Sequence, residues 1–381
     1  MSFRDTSVQL TSSLTKEEKQ AQGIFFTPKE ARDITLALLD ANNVRPQSIL
    51  EPSFGSGEFL EDIYLRYPTA HITGVELNPT LFQSVTRPNT HNQDFLEYTG
   101  VHDLIVGNPP YVVIPKTPET LACQTGRPNL FVQFLYKCIH EHLSDNGYLA
   151  FVLPTSLFNC VYYEPMRRYL FRNTTIRAAT VLEGKYIDTV QATFALVLQK
   201  GKRNDDFFVS LGGNSYLTPF YRELQTLLAG STNLAALGFE VKTGDVVWNQ
   251  VKEKLSPTGT LLIYSSNFSK GVLALDNVKS PKQQYIQGCT RPPLSGKSIL
   301  INRGYGNTRY TLIPVIVDFP AYYAENHVNV IRPTTPAARV QIEKVYASLR
   351  DPRTAQFIQF FVGNGALSKT ELETCLPIWL S

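Results

Sequence analysis

The sequence predicts an α/β protein built on a doubly wound, mostly parallel β-sheet and followed by a second domain. Strand-like segments alternate with helical ones between residues 28 and 200, a pattern typical of parallel sheets covered by helices. A glycine-containing loop joins an early strand to the next helix, as in α/β folds that bind ligands at strand ends. The chain has 381 residues, of which 43% are hydrophobic, and this is enough for two domains with separate cores.

The first predicted element is a helix over residues 28–41. Thr27 is a favourable N-cap, Pro28 suits the first helical turn, and Ile34 and Leu38 follow at helical spacing. Apolar runs and turn residues assign the other elements. They are strands at 48–50, 71–76, 103–107, 148–153 and 193–198, and helices at 58–65 and 130–143.

A domain boundary is predicted where polar residues follow the last of these strands. Residues 1–200 carry a net charge of −3 and residues 201–381 carry +6. Nine basic residues stand against two acidic ones between positions 251 and 310. This asymmetry favours a polyanion-binding second domain, with ordinary solvated lysines as the alternative. The predicted domains are residues 1–203 and 204–381.

Composition excludes several classes of protein. An aromatic content of 11% and a net charge of +3 are not those of a disordered chain. The five cysteines are scattered without a C-x-x-C pair, so neither a disulfide framework nor a cysteine zinc site is expected. The apolar runs are too short to span a bilayer and the N-terminus lacks the apolar core of a signal peptide. We expect a soluble cytoplasmic protein, without a membrane partner.

The loop at residues 51–57 is the first candidate for a ligand site. Gly55 and Gly57 allow a close approach of ligand to backbone, although glycines at such turns also serve packing alone. The loop matches neither the dinucleotide fingerprint nor the phosphate-binding P-loop. Glu51 would repel a pyrophosphate but suits an ammonium or sulfonium group. S-adenosyl-L-methionine carries both of these charges.

Acidic residues end the next two segments as well. Glu76 closes its strand at the place where a carboxylate commonly accepts hydrogen bonds from ribose hydroxyls. Asp94 and Phe95 together suit an adenine, because the carboxylate accepts from the amine and the ring stacks. Each acid singly is equally typical of a surface residue or a helix cap. Three of them at consecutive strand ends indicate one cofactor site.

The tetrapeptide at residues 108–111 points most specifically to a reaction. An exocyclic amine on a nucleobase is a poor nucleophile, because its lone pair is delocalised into the ring. The side-chain oxygen of Asn108 and the carbonyl of Pro109 supply two acceptors for its hydrogens. Pro110 helps to fix the backbone, and Tyr111 offers a ring on which a planar base stacks. A structural Pro-Pro turn is the alternative.

These motifs, in this order, resemble the gamma class of adenine-N6 DNA methyltransferases, the group that includes the TaqI methyltransferase. The resemblance implies the Rossmann-like fold of S-adenosylmethionine-dependent enzymes and a second α+β domain that recognises DNA. It implies catalytic roles for the four residues 108–111 and a cofactor site that includes an aromatic ring near the adenine. The implied cofactor-binding residues are Thr27, Glu51, Gly55, Gly57, Glu76, Asp94, Phe95, Asn108, Pro110 and Phe134.

The family also places a second aromatic ring on the opposite face of the base. Tyr186 aligns best with that position, while Ile187 and Phe194 stay open as alternatives. The glycine-rich, basic stretch at residues 293–310 resembles the DNA-recognition domains of type II restriction–modification methyltransferases. Lysine and arginine there neutralise phosphates, and arginine or asparagine pairs with base edges. The implied DNA-binding residues are Lys297, Arg303, Tyr305, Asn307 and Arg309.

We therefore predict a monomeric, site-specific methyltransferase that acts on an adenine flipped out of duplex DNA and uses S-adenosylmethionine without a metal. A cognate restriction endonuclease acting on the same site is a possible partner. Protein-glutamine and rRNA guanine-amino methyltransferases carry similar tetrapeptides and stay open. A catalytically silent DNA-specificity subunit has no need of the two amine acceptors. A cytosine-C5 enzyme is disfavoured because the chain has no Pro-Cys nucleophile.

Overall fold

The computed structural model describes most of the chain as two compact units. The first unit comprises Met1–Ser210 with Asn214–Tyr221, and the second comprises Leu211–Gly213 with Arg222–Ser381. The residues that the structure describes are 7, 10, 15–182, 192–201, 206–269, 271–275, 278–303, 310–361 and 367–380. No helix among them is long and apolar enough to cross a membrane.

A seven-stranded sheet organises the first unit. Its strands are β1 (Ser48–Glu51), β2 (His71–Glu76), β3 (Thr90–Asn92), β4 (His102–Gly107), β5 (Leu143–Pro154), β6 (Thr174–Leu182) and β7 (Thr193–Lys200). Their order across the sheet is β3-β2-β1-β4-β5-β7-β6. The first five are parallel, and β7 runs antiparallel between β5 and β6. This confirms the predicted doubly wound, mostly parallel sheet.

Helices cover the sheet because successive strand residues are apolar on both faces. In β4, Ile105 belongs to one buried cluster, whereas Leu104 and Val106 belong to the cluster on the other face. The helices of this unit are α1 (Lys16–Gln22), α2 (Lys29–Ala41), α3 (Glu58–Arg66), α4 (Pro79–Gln83), α5 (Pro118–Leu121), α6 (Leu130–Lys137) and α7 (Glu164–Asn173).

Two helices differ from the prediction. The first begins at Lys29 with Pro28 as its N-cap, so Thr27 does not cap it. The helix predicted over 130–143 is α-helical only to Lys137 and continues as a π-helical turn, Cys138–His142. In that turn His142 Nδ1 lies 2.8 Å from the Gly100 carbonyl oxygen. This contact ties the end of the helix to the loop before β4.

A short hairpin extends the first unit beyond the predicted boundary at residue 203. It consists of β8 (Phe208–Leu211) and β9 (Asn214–Leu217). The buried Arg167 on α7 donates to the Ser215 carbonyl at 2.5 Å, and Leu217 N–H donates to the Phe158 carbonyl at 3.0 Å. Leu217 also joins the buried core. The polar linker therefore precedes a hairpin that packs back on the first unit.

The second unit has an α+β fold, as the resemblance implies. Its strands are β10 (Phe239–Thr243), β11 (Leu255–Ser256), β12 (Thr260–Ile263), β13 (Phe268–Ser269), β14 (Val272–Leu273), β15 (Tyr285–Ile286), β16 (Leu294–Asn302), β17 (Pro314–Ala324) and β18 (Val328–Pro333). Seven of them form a sheet in the order β10-β18-β16-β17-β12-β15-β11, antiparallel except between β12 and β17. The helices are α8 (Tyr221–Leu228), α9 (Pro336–Leu349), α10 (Pro352–Phe361) and α11 (Lys369–Thr374).

Candidate active site

The carboxyl ends of β1, β2 and β4 bring the predicted site residues to one edge of the first sheet. β1 lies between the other two strands and is parallel to both. Glu51 is the last residue of β1, Glu76 is the last residue of β2, and Asn108 directly follows β4. Strands that run in the same direction end at the same edge, which is where ligands bind in such sheets.

A cavity of about 310 Å³ opens beside these strand ends. Seven of the predicted residues line it: Gly55, Glu76, Asp94, Phe95, Asn108, Pro110 and Phe134. The other three predicted cofactor-binding residues, Thr27, Glu51 and Gly57, are buried and do not line it. Residues that are far apart in sequence therefore line one cavity.

The backbone of the glycine loop forms one wall of the cavity. Gly55 and Gly57 have φ angles of +58° and +77°, in the left-handed region that favours glycine. The Gly55 N–H donates to Glu76 Oε2 at 2.8 Å, which holds the loop against the end of β2. A Cβ atom on Gly55 would meet no atom within 4 Å, whereas one on Gly57 would lie 3.0 Å from Val85 Cγ2.

Glu51 lies directly beneath this loop and is only 2% exposed. Its Oε2 atom is buried and has no hydrogen-bond partner among the described residues. Burial, and secondly the charge of Glu76, raise the pKa of Glu51 well above its ordinary value. A nearby cationic group would stabilise a buried carboxylate of this kind.

Glu76 is bound more fully than the prediction implied. Its Oε2 accepts from Gly55 and its Oε1 accepts from the Asn78 N–H at 2.7 Å. Burial raises the pKa of Glu76, and the backbone hydrogen bonds oppose that shift. Each carboxylate oxygen has a second lone pair, so both can still accept from ribose hydroxyls.

The adenine end of the predicted cofactor site is aromatic. The Phe95 ring is buried, and its centroid lies 4.6 Å from that of Phe134. Asp94 Oδ1 accepts from the Leu96 N–H at 2.9 Å and so caps the short 3₁₀ turn that carries Phe95. These three predicted residues are therefore brought together, with the turn aligned by the carboxylate.

The side chain of Asn108 is held at both ends. Its Nδ2 donates to Thr27 Oγ1 at 3.0 Å and lies 3.4 Å from the Phe25 carbonyl oxygen. The Tyr111 hydroxyl lies 2.5 Å from Asn108 Oδ1 and 2.8 Å from the Val152 carbonyl oxygen, and it can donate its one proton to either acceptor. The donor end of the amide thus faces Thr27, and the acceptor oxygen faces Tyr111.

Arg32 extends this contact into the buried interior. It is 3% exposed, and its Nη1 donates to the Thr27 carbonyl at 2.6 Å. The same guanidinium pairs with Glu58 and Asp62 of α3, each at 2.6 Å. The buried Glu58 and the half-buried Asp62 therefore fix Arg32, which in turn fixes the backbone of Thr27 behind the amide of Asn108.

Sequence reasoning missed several residues of the site. Gly23 has a φ of +67°, and a Cβ atom there would lie 3.0 Å from Pro110 Cβ and 2.8 Å from Val112 Cγ1. Gln22 lines the cavity and accepts a hydrogen bond from Asn78 Nδ2 at 2.8 Å. The sequence signal for these residues was the change from polar to apolar residues over 22–26, because it lies shortly before the predicted site residue Thr27.

The second aromatic ring and the DNA-binding residues are only partly described. Tyr186 and Ile187 lie outside the described residues. Phe194 is wholly buried in β7 with its ring 4.4 Å from that of Phe158, so this alternative is wrong: a ring packed in the core cannot stack on a base.

Of the five predicted DNA-binding residues, the structure describes two. Lys297 pairs with Glu343 at 2.5 Å, and Arg303 Nη1 donates to the Asn326 carbonyl at 2.9 Å. Tyr305, Asn307 and Arg309 lie outside the described residues.

Comparison with known proteins identifies the family of the chain. The family profile of the Eco57I restriction-modification methylase matches residues 62–186. The chain is 30% identical to the modification methylase CviBIII of Paramecium bursaria Chlorella virus NC1A, over 99% of each chain. It is 29% identical to the type II methyltransferase M.CvrRI of Paramecium bursaria Chlorella virus XZ-6E, over 96% of this chain and 97% of that one.

The match to CviBIII runs through both units. The chain therefore belongs to the type II restriction–modification DNA methyltransferases, and its cofactor is S-adenosylmethionine.

Proposed function

We propose that the protein methylates the N6 amine of adenine at a specific site in duplex DNA. The orientation of the Asn108 amide carries this proposal. Thr27 Oγ1 engages Nδ2, so that Oδ1 is the atom left to accept a hydrogen from a substrate. The N6 amine of adenine has two hydrogens, and Asn108 Oδ1 with the Pro109 carbonyl would accept both.

These acceptors would make the amine nucleophilic. Accepting both hydrogens localises the nitrogen lone pair, and a rigid Pro-Pro backbone keeps the acceptors in place without reorganisation during the reaction. S-adenosylmethionine, when bound, supplies a methyl group activated by its sulfonium charge. Glu51, Glu76 and the pair Asp94–Phe95 would hold the cofactor at its charged, ribose and adenine ends. The residues of the chain would thus bind the cofactor, orient the base and polarise its amine.

An adenine inside duplex DNA cannot reach this cavity, so the base must flip out of the helix. Tyr111 would leave its hydrogen bond with Asn108 and stack on one face of the base. Tyr186 is our candidate for the opposite face. The second unit would recognise the DNA sequence, and a cognate endonuclease acting on that sequence would complete the restriction–modification system.

The Asn108→Ala variant tests the proposal. We expect methyl transfer to fall on the order of a thousandfold, because a preorganised acceptor is lost, with cofactor affinity nearly unchanged. The readout is mass spectrometry of nucleosides from DNA treated with enzyme and isotope-labelled cofactor. An Asn173→Ala variant, at the exposed end of α7, is the matched control.

The wild-type product decides between the alternatives. Labelled N6-methyldeoxyadenosine supports the proposal. Label on another nucleobase, on ribosomal RNA or on a protein glutamine contradicts it, as does full activity of Asn108→Ala.

A further inference from the structure

Trp248 lines a cavity in the second unit together with two lysines. The cavity measures about 520 Å³ and is lined by Trp248, Ser266, Lys279, Ser280, Pro281 and Lys282. None of these residues is among those predicted to bind DNA from the sequence. All of them belong to the second unit, within residues 248–282.

Two lysine ammoniums lie close to the Trp248 ring. Lys252 Nζ lies 5.6 Å and Lys282 Nζ 5.0 Å from the centroid of the Trp248 ring. Lys282 also lies 4.8 Å from the ring of the buried Tyr264. An ammonium near an aromatic face gains about 0.5–1 kcal/mol at an exposed site, which helps to keep two like charges close together.

The lysines around Trp248 have no carboxylate partner within the part of the chain that the structure describes. Among the described residues, Lys252, Lys279 and Lys282 take part in no ion pair, whereas Lys242, Lys297 and Arg291 of the same unit each pair with an acid. The acids nearest in sequence are Glu253, beside Lys252, and Asp276, which lies outside the described residues. The second unit as a whole has 17 lysines and arginines against 11 aspartates and glutamates. Unpaired cations beside one another are the electrostatic signature of a polyanion site.

We propose that Lys252, Lys279 and Lys282, held by Trp248, form a binding surface for the phosphodiester backbone of duplex DNA. We name it the Trp248 surface. The inference rests on the proposed function, because it takes DNA as the substrate. Lysine ammoniums pair with phosphates as point charges, so the surface binds without regard to base sequence. Trp248 contributes by holding the ammoniums where phosphates can meet them.

Salt dependence tests the surface directly. The double variant K279Q/K282Q should bind a fluorescent duplex more weakly and lower the slope of log affinity against log salt by about 1.8, since each phosphate contact contributes about 0.9. The matched control is K344Q/K369Q, which removes two exposed lysines of the same unit. An unchanged slope in K279Q/K282Q, or an equal fall in the control, overturns the proposal.

Tryptophan fluorescence gives a second measurement. The chain has two tryptophans, and the other one, Trp379, is 6% exposed. In the Trp379→Phe variant the emission comes from Trp248 alone. We expect its intensity to change on titration with duplex DNA, as phosphates bind the ammoniums of Lys252 and Lys282 beside the ring. Emission that stays constant while the duplex binds overturns the proposal.

The role of Trp248 can be separated from that of the charges. The Trp248→Leu variant should bind DNA more weakly with an unchanged salt slope, because the lysines remain. Methyl transfer by the wild-type enzyme tests the proposed function on its own. If the wild-type enzyme methylates DNA but K279Q/K282Q has the same salt slope as wild type, only the proposal of the Trp248 surface is refuted.

Discussion

Thr27 shows how a single side chain can act differently from its motif. The family resemblance implies contact with the cofactor, but in the structure its hydroxyl accepts a hydrogen bond from Asn108 and does not line the cavity. The partner is 81 residues away, so no local pattern could have predicted this contact. Arg32 was hidden for the same reason, since it lies on a predicted helix and its burial depends on residues of α3.

We predict that Thr27→Val lowers kcat about fivefold, because one hydrogen bond worth about 1 kcal/mol orients the Asn108 amide. Thr27→Ser keeps the hydroxyl and should restore most of the activity. Single-turnover methylation and equilibrium binding of the cofactor measure the two effects separately. A fall in cofactor affinity with unchanged kcat would instead support the role implied by the family.

Glu51 predicts a pH dependence for cofactor binding. Its pKa is raised by burial, so the folded protein without ligand favours the neutral acid, whereas pairing with a cation needs the carboxylate. Affinity for S-adenosylmethionine should therefore rise with pH as the acid ionises, and binding should release a proton. Calorimetry in buffers of different ionisation enthalpy measures that proton. In Glu51→Gln the pH dependence should disappear and affinity should fall at least tenfold.

Glu51→Gln also makes a prediction about stability. A carboxyl whose pKa is higher in the folded state destabilises the fold when it ionises, so stability is greatest below its unfolded pKa and declines as pH rises. The glutamine variant without cofactor should therefore have a higher Tm than wild type at pH 8, and this difference should shrink toward pH 4. The exposed Glu253→Gln is the control. A lower Tm for Glu51→Gln at pH 8 would contradict this account.

At the scale of elements, the two glycines of the loop are expected to differ in role: Gly55 in cofactor binding and Gly57 in packing. Gly55→Ala places a methyl group in open space beside the cavity and costs about 1 kcal/mol of backbone strain. We expect a fall in cofactor affinity of at least tenfold with a small loss of Tm. Gly57→Ala should lose more stability, because its Cβ atom would press on Val85.

Gly230→Ala provides the matched control for Gly55→Ala. Gly230 has a φ of +69°, and a Cβ atom there also meets no atom within 4 Å, but it lies in the second unit. Thermal unfolding and cofactor titration of the three variants test the distinction. Equal cofactor affinities in Gly55→Ala and Gly230→Ala would show that the loop is not part of the binding site.

The sequence was most informative about the elements that carry the site. Apolar runs predicted β2 at its observed residues, and the acids after β1 and β2 were predictable because parallel strands end together. The π-helical turn after α6 could not be predicted, because its pattern of apolar residues is that of an ordinary α-helix. The sequence placed the hairpin β8–β9 at the start of the second domain, because it follows the polar linker and its contact with Arg167 on α7 is made by a backbone carbonyl.

At the scale of the molecule, this hairpin predicts where the chain can be divided. A fragment of residues 1–205 loses the buried Phe208, Tyr216 and Leu217, whereas a fragment of residues 1–221 keeps them. Each of these side chains contributes about 1.5–3 kcal/mol on burial, so the shorter fragment should unfold about 10 °C lower or fail to fold. Circular dichroism against temperature measures this. Equal Tm values would show that the hairpin does not stabilise the first unit.

Charge was the one property of the second unit that the sequence predicted well. The excess of basic residues was visible, but which of them pair with acids depended on the fold. Lys297 was a candidate for DNA and is paired with Glu343, whereas Lys279 and Lys282 were not singled out and line a cavity.

The hydrogen bond from Tyr111 to Asn108 has a consequence for selectivity. An incoming group must first replace the phenol, so a group that offers a single hydrogen exchanges one bond for another and gains little. Only a substituent with two hydrogens gains a second acceptor, the Pro109 carbonyl. The resting enzyme would thereby discriminate against thymine, which has no amino group, before any chemistry begins.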